Sequence, residues 1–112
     1  MATLGDFEQV ILFALARLEG EAHGTAVSQE IETRTGRHVS PGGLYTVLDR
    51  LEAKGLVTSW IGESTPERGG RRRRVYRLEP AGARELREWY RGIKDIAVGT
   101  GPLLDVLAQD GR

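Results

Sequence analysis

The sequence predicts one mainly α-helical domain of the α+β class. Apolar residues recur at helical spacing in four stretches, whereas two short runs between residues 56 and 78 are rich in β-branched and aromatic residues. At 112 residues the chain can bury a single core, and its few aromatic side chains make burial against a second subunit favourable. We therefore expect an oligomer.

The composition excludes several classes of protein. The chain has no cysteine, which excludes disulfides, thiolate metal sites and a cysteine nucleophile. No apolar run approaches the ~20 residues that span a bilayer, and no basic segment begins a secretory signal. Two distant histidines and no recognisable pair of acids offer nothing from which to build a catalytic site. We expect a cytoplasmic protein that is not an enzyme and has no cofactor, metal or membrane partner.

Positive charge is concentrated in the middle of the chain. Residues 1–35, 36–78 and 79–112 carry net charges of −4, +5 and −1, although the whole chain is neutral. A basic segment of this kind is typical of a nucleic-acid footprint, and a solvated basic loop is the alternative.

The stretch from Ser40 to Leu51 predicts a helix with two different faces. Ser40 can cap it, and Pro41 suits its first position. One face is apolar, with Leu44, Val47, Leu48 and Leu51. The other face has little bulk at its start and holds Gly42, Thr46, Asp49 and Ala53, flanked by Tyr45 and Arg50. Its open amides and positive helix end favour an anion such as phosphate.

Two helices precede this stretch. The first runs from Asp6 to Leu18 or Glu19 and is apolar nearly all round, because Leu12 and Phe13 lie opposite its main apolar stripe. A second subunit is one way to cover that side. After a turn at His23-Gly24, the second helix ends at Gly36, and a link of four residues then predicts a helix-turn-helix unit. We interpret His23 as a packing or capping residue rather than a ligand.

The segments after Gly55 predict a hairpin and a long helix. Leu56–Ile61 and Arg73–Leu78 should pair, with arginines at 68 and 71–74 around the turn. Such a tip suits phosphates or a narrow minor groove, and a solubilising edge strand is the alternative. The last helix runs from Pro80 to about Val98, and the apolar tail after it either folds back or is disordered.

These elements, in this order, resemble the short form of the PadR-like transcriptional regulators. The motifs that carry the resemblance are His23-Gly24, Ser40-Pro41-Gly42, Leu44-Tyr45, Arg50-Leu51-Glu52, Gly55-Leu56, Arg72, Tyr76-Arg77-Leu78 and Ala81-Gly82. The resemblance implies a winged helix-turn-helix with a two-stranded wing over residues 1–79, a C-terminal dimerisation helix over 80–98 and a tail over 99–112. It also implies a homodimeric repressor of nearby genes that binds pseudo-palindromic double-stranded operator DNA and is released by a small effector.

The resemblance and the residue patterns together give candidate sites. The DNA-binding candidates are Thr25, Ser40, Pro41, Gly42, Gly43, Tyr45, Thr46, Asp49, Arg50, Arg68, Arg71, Arg72, Arg73 and Arg74. The dimer-interface candidates are Phe7, Leu12, Phe13, Leu86, Trp89, Tyr90, Ile93 and Ile96. Trp89 and Tyr90 are also candidates for a pocket that takes a small aromatic effector, although an interface role for Trp89 is favoured.

Two features leave alternatives open. Thr25, Thr46 and Asp49 depart from the residues usual in the family, and Asp49 would repel phosphate unless it accepts a hydrogen bond from cytosine N4. A winged helix that binds only another protein is the alternative function, because fold alone does not fix function. The arginine-rich tip argues against that alternative.

Overall fold

The computed structural model describes residues 4–63 and 73–110 and confirms the predicted fold class. The described residues form five helices and one small antiparallel sheet. In chain order the elements are α1 (Asp6–Arg17), β1 (Glu21–His23), α2 (Gly24–Thr35), α3 (Pro41–Ala53), β2 (Val57–Ile61), β3 (Arg74–Leu78), α4 (Pro80–Ala97) and α5 (Gly101–Asp110). Within the described ranges, no helix combines the length and the apolar character needed to cross a membrane.

The sheet has three strands rather than the two expected for the wing. The strand order is β1-β3-β2, and β3 pairs antiparallel with both neighbours. Val75 lies between His23 of β1 and Trp60 of β2. The third strand arises because β3 has two edges and the hairpin with β2 satisfies only one of them. β1 therefore anchors the wing to the start of α2.

Helix α1 is the centre of the core and contacts the other helices of the domain and the sheet. Its apolar residues Ile11, Leu12 and Leu15 are fully buried. They pack among side chains of α2, α3, α4 and the sheet, which include Val27, Ile31, Leu44, Leu48, Leu51, Val57, Tyr76 and Leu86. An all-round apolar helix is thus covered within a single protomer.

That packing corrects two of the predicted dimer contacts. Leu12 has no exposed surface and Leu86 is only 6% exposed, so both are core residues of their own protomer rather than interface residues that await a partner. The reason is that α4 and the sheet cover the side of α1 that the sequence left unassigned. Phe7, Phe13 and Trp89 are partly buried against the same core, whereas Tyr90, Ile93 and Ile96 are exposed.

The end of the chain also differs from expectation. Gly99 has a φ of 82°, and soon after it the predicted tail forms the regular helix α5, which does not fold back onto the core. Every residue from Tyr90 to Gln109 is exposed, including the four large apolar side chains of α5. The second half of α4 and all of α5 therefore project beyond the protomer's own core.

Candidate nucleic-acid interface

The exposed face of α3 begins with almost no side-chain bulk. Ser40 caps the helix by accepting a hydrogen bond from the Gly43 N–H at 3.1 Å, as predicted. Apart from the neighbouring residues and backbone of its own helix, no atom of the described residues lies within 4 Å of the place where a Cβ of Gly42 would stand. Thr46, Asp49 and Arg50 continue this exposed face. A flat, polar partner can therefore approach the first turn of α3 without displacing protein atoms.

Tyr45 lies at the edge of that face and packs partly inward. A Cβ on Gly24 would stand 2.5 Å from the Tyr45 hydroxyl oxygen and 2.7 Å from Cε1, so the ring occupies the space that only a glycine leaves. On its other side the ring centroid is 6.3 Å from that of Tyr76. Tyr45 is 38% exposed. It thus joins the start of α2 to α3 and the sheet, and remains partly exposed.

The base of the wing is fastened to the start of α2. Arg73 donates from Nη1 to the Thr25 hydroxyl at 3.2 Å, and both side chains are exposed. Because Thr25 follows Gly24, which touches Tyr45, this hydrogen bond brings the wing base beside α3. The structure thus brings together three of the predicted DNA-binding groups that are far apart in sequence.

A polar chain links the wing to the acidic edge of α3. Arg74 donates to the Ser59 hydroxyl at 3.0 Å, and Ser59 donates to Glu52 at 2.8 Å. Burial, together with the negative charge of Asp49, raises the pKa of the neighbouring Tyr76 hydroxyl to about 12. Tyr76 therefore remains a neutral phenol beneath the interface at any physiological pH.

The far end of α3 is held by a buried ion pair with α1. The Glu8 carboxylate is 3% exposed, accepts from the Gly5 N–H at 2.7 Å, and pairs with the Lys54 ammonium at 2.7 Å. Burial opposes its ionisation, but the hydrogen bonds from Gly5 and Lys54 outweigh burial and lower the pKa of Glu8. Lys54 caps the C-terminus of α3, so this pair fixes how α3 lies on the core.

Comparison with known proteins identifies the family. The model of the "Transcriptional regulator PadR-like family" matches residues 11–88. A transcriptional regulator from Mycobacterium tuberculosis is 44% identical over 79 residues, which is 70% of this chain and 69% of that protein. The chain belongs to the PadR-like family of transcriptional regulators.

Solved structures agree with this assignment. A PadR family transcriptional regulator from Eggerthella lenta is 28% identical, with a TM-score of 0.67 over 86% of this chain and 81% of that chain. A winged-helix DNA-binding protein from STIV shares the fold, at 23% identity and a TM-score of 0.66 over 81% of this chain and 90% of that chain. The PadR-like regulator thus has the winged-helix DNA-binding fold that its sequence predicted.

In this PadR-like regulator, α3 is the second helix of the helix-turn-helix unit and the hairpin of β2 and β3 is the wing. The predicted contacts Arg68, Arg71 and Arg72 lie outside the described residues. Arg73 and Arg74 lie at the base of the wing, where both are exposed. Arg50 lies on the opposite edge of α3 from Tyr45, where its charge helps to lower the pKa of Glu8.

The aromatic residues proposed for an effector lie on α4, far from α3. The ring centroids of Trp89 and Tyr90 are each 6.0 Å from that of Phe13 in edge-to-face geometry. Trp89 is partly buried against the protomer's core, and Tyr90 is 51% exposed. The three rings form one aromatic cluster at the boundary between the core and the exposed half of α4.

Sequence reasoning missed the contacts that position α3. Near its C-terminal end these are the Glu8–Lys54 ion pair and the Ser59–Glu52 hydrogen bond, and near its start they include the packing of Tyr45 on Gly24. A glutamate three positions after Gly5 and next to an apolar stripe is the sequence signal of a capping box, which could have identified Glu8. Its partner Lys54 lies 46 residues away, and nothing local in the sequence points to it.

Proposed function

We propose that this regulator is a homodimeric repressor that binds a pseudo-palindromic double-stranded operator and controls nearby genes. The observation that carries the proposal is the open first turn of α3, which occurs together with exposed arginines at the wing base. The amides of a helix start attract a phosphate, and the exposed face of α3 then lies against base edges in the major groove. The wing arginines would contact the backbone or minor groove next to it.

The side chains on α3 would decide which sequence is bound. Thr46 and Asp49 lie one turn apart on the exposed face. A carboxylate repels phosphate but accepts a hydrogen bond from cytosine N4, so Asp49 would favour cytosine while lowering overall affinity. Replacing Asp49 with asparagine should therefore relax base preference and strengthen binding to unrelated DNA.

A substitution at Gly42 tests the docking of α3. Glutamine at this position extends into open space, so the fold should remain intact, yet it should block approach of the helix start to the DNA backbone. Alanine at the same position is the matched control, because like glutamine it is a better helix former than glycine, but it adds only a methyl group. Binding to the gene's own upstream DNA, measured by fluorescence anisotropy, should be lost with Gly42→Gln and retained with Gly42→Ala.

Asp49 also gives the alternative function its only support. A carboxylate in the middle of the exposed face suits a protein partner better than a polyanion. Equal DNA affinities for the two Gly42 variants would contradict this docking of α3, whereas no saturable DNA binding by the unmodified chain would favour a protein-binding winged helix.

The dimer would form through the exposed apolar stripe of α4. Tyr90, Ile93 and Ile96 are 51%, 45% and 78% exposed, and Phe13 of α1 lies beside the first of them. Phe7, stacked under Arg37 at 4.9 Å, would lie at the margin. A twofold arrangement would place the two α3 helices in successive major grooves, with half-sites about one helical turn apart. Sedimentation at micromolar concentration should give twice the chain mass, and a single-chain mass would contradict the dimer.

An effector would bind near Trp89 and Tyr90. An indole offers a large flat face, and a planar aromatic compound could stack there within the dimer. In a Trp60→Phe background, such a compound should quench Trp89 fluorescence at the concentrations that release the DNA. If Trp89 is an interface core residue instead, Trp89→Ala should cost about 3 to 5 kcal/mol and disrupt the dimer without affecting any response to ligands.

A further inference from the structure

Helix α5 exposes an apolar face that its own protomer does not cover. Its four large apolar residues, Leu103, Leu104, Val106 and Leu107, are 54–61% exposed. At 100° per residue they lie on one side of the helix, and Asp105 lies on the other. A helix of 10 residues is too short to be stable alone in water, where isolated helices need about 12 to 15 residues. The fold of α5 therefore depends on a surface that covers this stripe.

A groove of complementary character lies between α1 and α2. It has a volume of about 170 Å³, and its lining is almost wholly apolar, with Val10, Phe13, Ala14 and Ile31. This volume is close to that of an apolar cavity that holds a benzene molecule, about 150 Å³. One leucine side chain would fill most of it. We name it the α1/α2 groove.

The rim of the α1/α2 groove is basic. Arg17 and Arg34 both donate to the same Glu30 oxygen at 3.0 Å, so two guanidinium groups share one carboxylate. These hydrogen bonds lower the pKa of Glu30, which stays ionised and holds both arginines at the groove. In contrast, α5 contains no lysine or arginine. The helix can therefore approach this basic rim without repulsion between like charges.

The groove also adjoins the surface proposed for the dimer. Phe13 lines the groove and touches Trp89 and Tyr90 of α4. From Tyr90 the exposed stripe continues through Ile93 and Ile96 towards α5. A second copy that packs on this stripe would bring its own α5 close to the groove.

We propose that α5 of one copy docks into the α1/α2 groove of its partner, with a leucine of its apolar stripe inserted between α1 and α2. This inference rests on the proposed dimer and extends it to a segment outside the α4 stripe. Each protomer would then complete its partner's surface, which explains why α5 is helical although its own domain leaves it exposed.

Single cysteines test this docking cleanly because the chain has no native cysteine. One chain carries Leu104→Cys on α5, and a second chain carries Thr35→Cys at the groove. The matched control is Thr33→Cys, which lies on the opposite side of α2 and is also exposed. After the chains are mixed and treated with a short bismaleimide, Leu104→Cys should cross-link to Thr35→Cys at least tenfold more than to Thr33→Cys.

Two outcomes would overturn the proposal, and both are distinct from failure of the dimer. Equal cross-linking to positions 33 and 35 in a sample that sediments as a dimer would exclude α5 from the groove while leaving the dimer intact. A chain carrying both Leu104→Cys and Thr35→Cys, diluted into excess unmodified protein, should lose its cross-link. An internal cross-link of single-chain mass would show that α5 folds onto its own groove. A sample that sediments as a monomer and gives no cross-link would defeat both the dimer and the docking.

Discussion

The contact between Gly24 and Tyr45 predicts a specific coupling between α2 and α3. In Gly24→Ala, the new Cβ would lie 2.5 to 2.8 Å from three atoms of the Tyr45 side chain. Relief to an ordinary contact of about 3.5 Å requires the ring to move by about 1 Å, which disturbs its packing on Tyr76. Overpacking of this kind costs about 1 to 3 kcal/mol. Gly24 has an ordinary negative φ, so the backbone itself adds no penalty.

Removal of the ring should abolish that cost. In a Tyr45→Ala background, Gly24→Ala should be neutral or stabilising by up to about 1 kcal/mol, because alanine is the better helix former. A double-mutant cycle from urea unfolding, at one fixed protein concentration, should therefore give a coupling of about 1 to 3 kcal/mol. Operator affinity should fall in the single variant Gly24→Ala, in which the displaced ring alters the face of α3.

The same free-energy change for Gly24→Ala in both backgrounds would refute this reasoning. It would mean that the tyrosine ring does not fill the space above Gly24 in solution. Tyr45 could then act only as an exposed residue, free to contact DNA.

Three further substitutions test the way the core holds the site. Glu8→Gln should lower the free energy of unfolding by about 1 to 3 kcal/mol at pH 7. Because folding lowers the pKa of Glu8, the stability that its carboxylate contributes is present above the ordinary pKa of 4.5 and is lost as the pH falls through the folded pKa. Urea unfolding of the variant should therefore depend less on pH in that range than unfolding of the unmodified chain. The exposed Glu88→Gln is the control and should change stability by less than about 1 kcal/mol. Gly82→Ala should destabilise the fold by at least about 1 to 3 kcal/mol, since the new Cβ would overlap the Leu56 carbonyl. Its control, Gly92→Ala, places the Cβ in open space and should stabilise the fold by up to about 1 kcal/mol. Equal shifts in melting temperature for the two variants would contradict the packing of α4. Leu12→Ala should lower the free energy of unfolding by about 2 to 5 kcal/mol. Because Leu12 is buried within the protomer, the dimer dissociation constant of this variant, measured by sedimentation, should equal that of the unmodified chain.

The parts of the fold that depend on local signals could be predicted from the sequence. Ser40, Pro41 and the spacing of Leu44, Val47, Leu48 and Leu51 fix the start of α3 and its buried face, and the structure confirms each of them. The glycine that ends α2 is equally local, because Gly36 adopts a φ of 72° that suits glycine. Such features need no knowledge of what packs against them.

The features that failed depend on contacts between distant residues. Three residues of β1 carry too little pattern to predict a strand, and they pair only because β3 offers a free edge. Leu12 is buried because α4 returns to cover α1, and the apolar pattern of α1 cannot show whether that cover comes from its own chain. The same holds for the Glu8–Lys54 pair and for the Tyr45 ring over Gly24. The exposed face of α3 was therefore predictable, and the residues that hold it in place were not.

The measurement that tests the DNA-binding role of the wing base most directly is the salt dependence of binding. The affinity for the gene's own upstream DNA should be measured between about 50 and 200 mM salt, for the unmodified chain and for the variant with alanine at Arg73 and Arg74. If each arginine neutralises one phosphate, the slope of log K against log salt should become shallower by about 1.8, since each lost contact removes about 0.9. Thr58→Ala, an exposed wing substitution without charge, should leave the slope unchanged. An unchanged slope for the double arginine variant would contradict a DNA interface that includes the wing base.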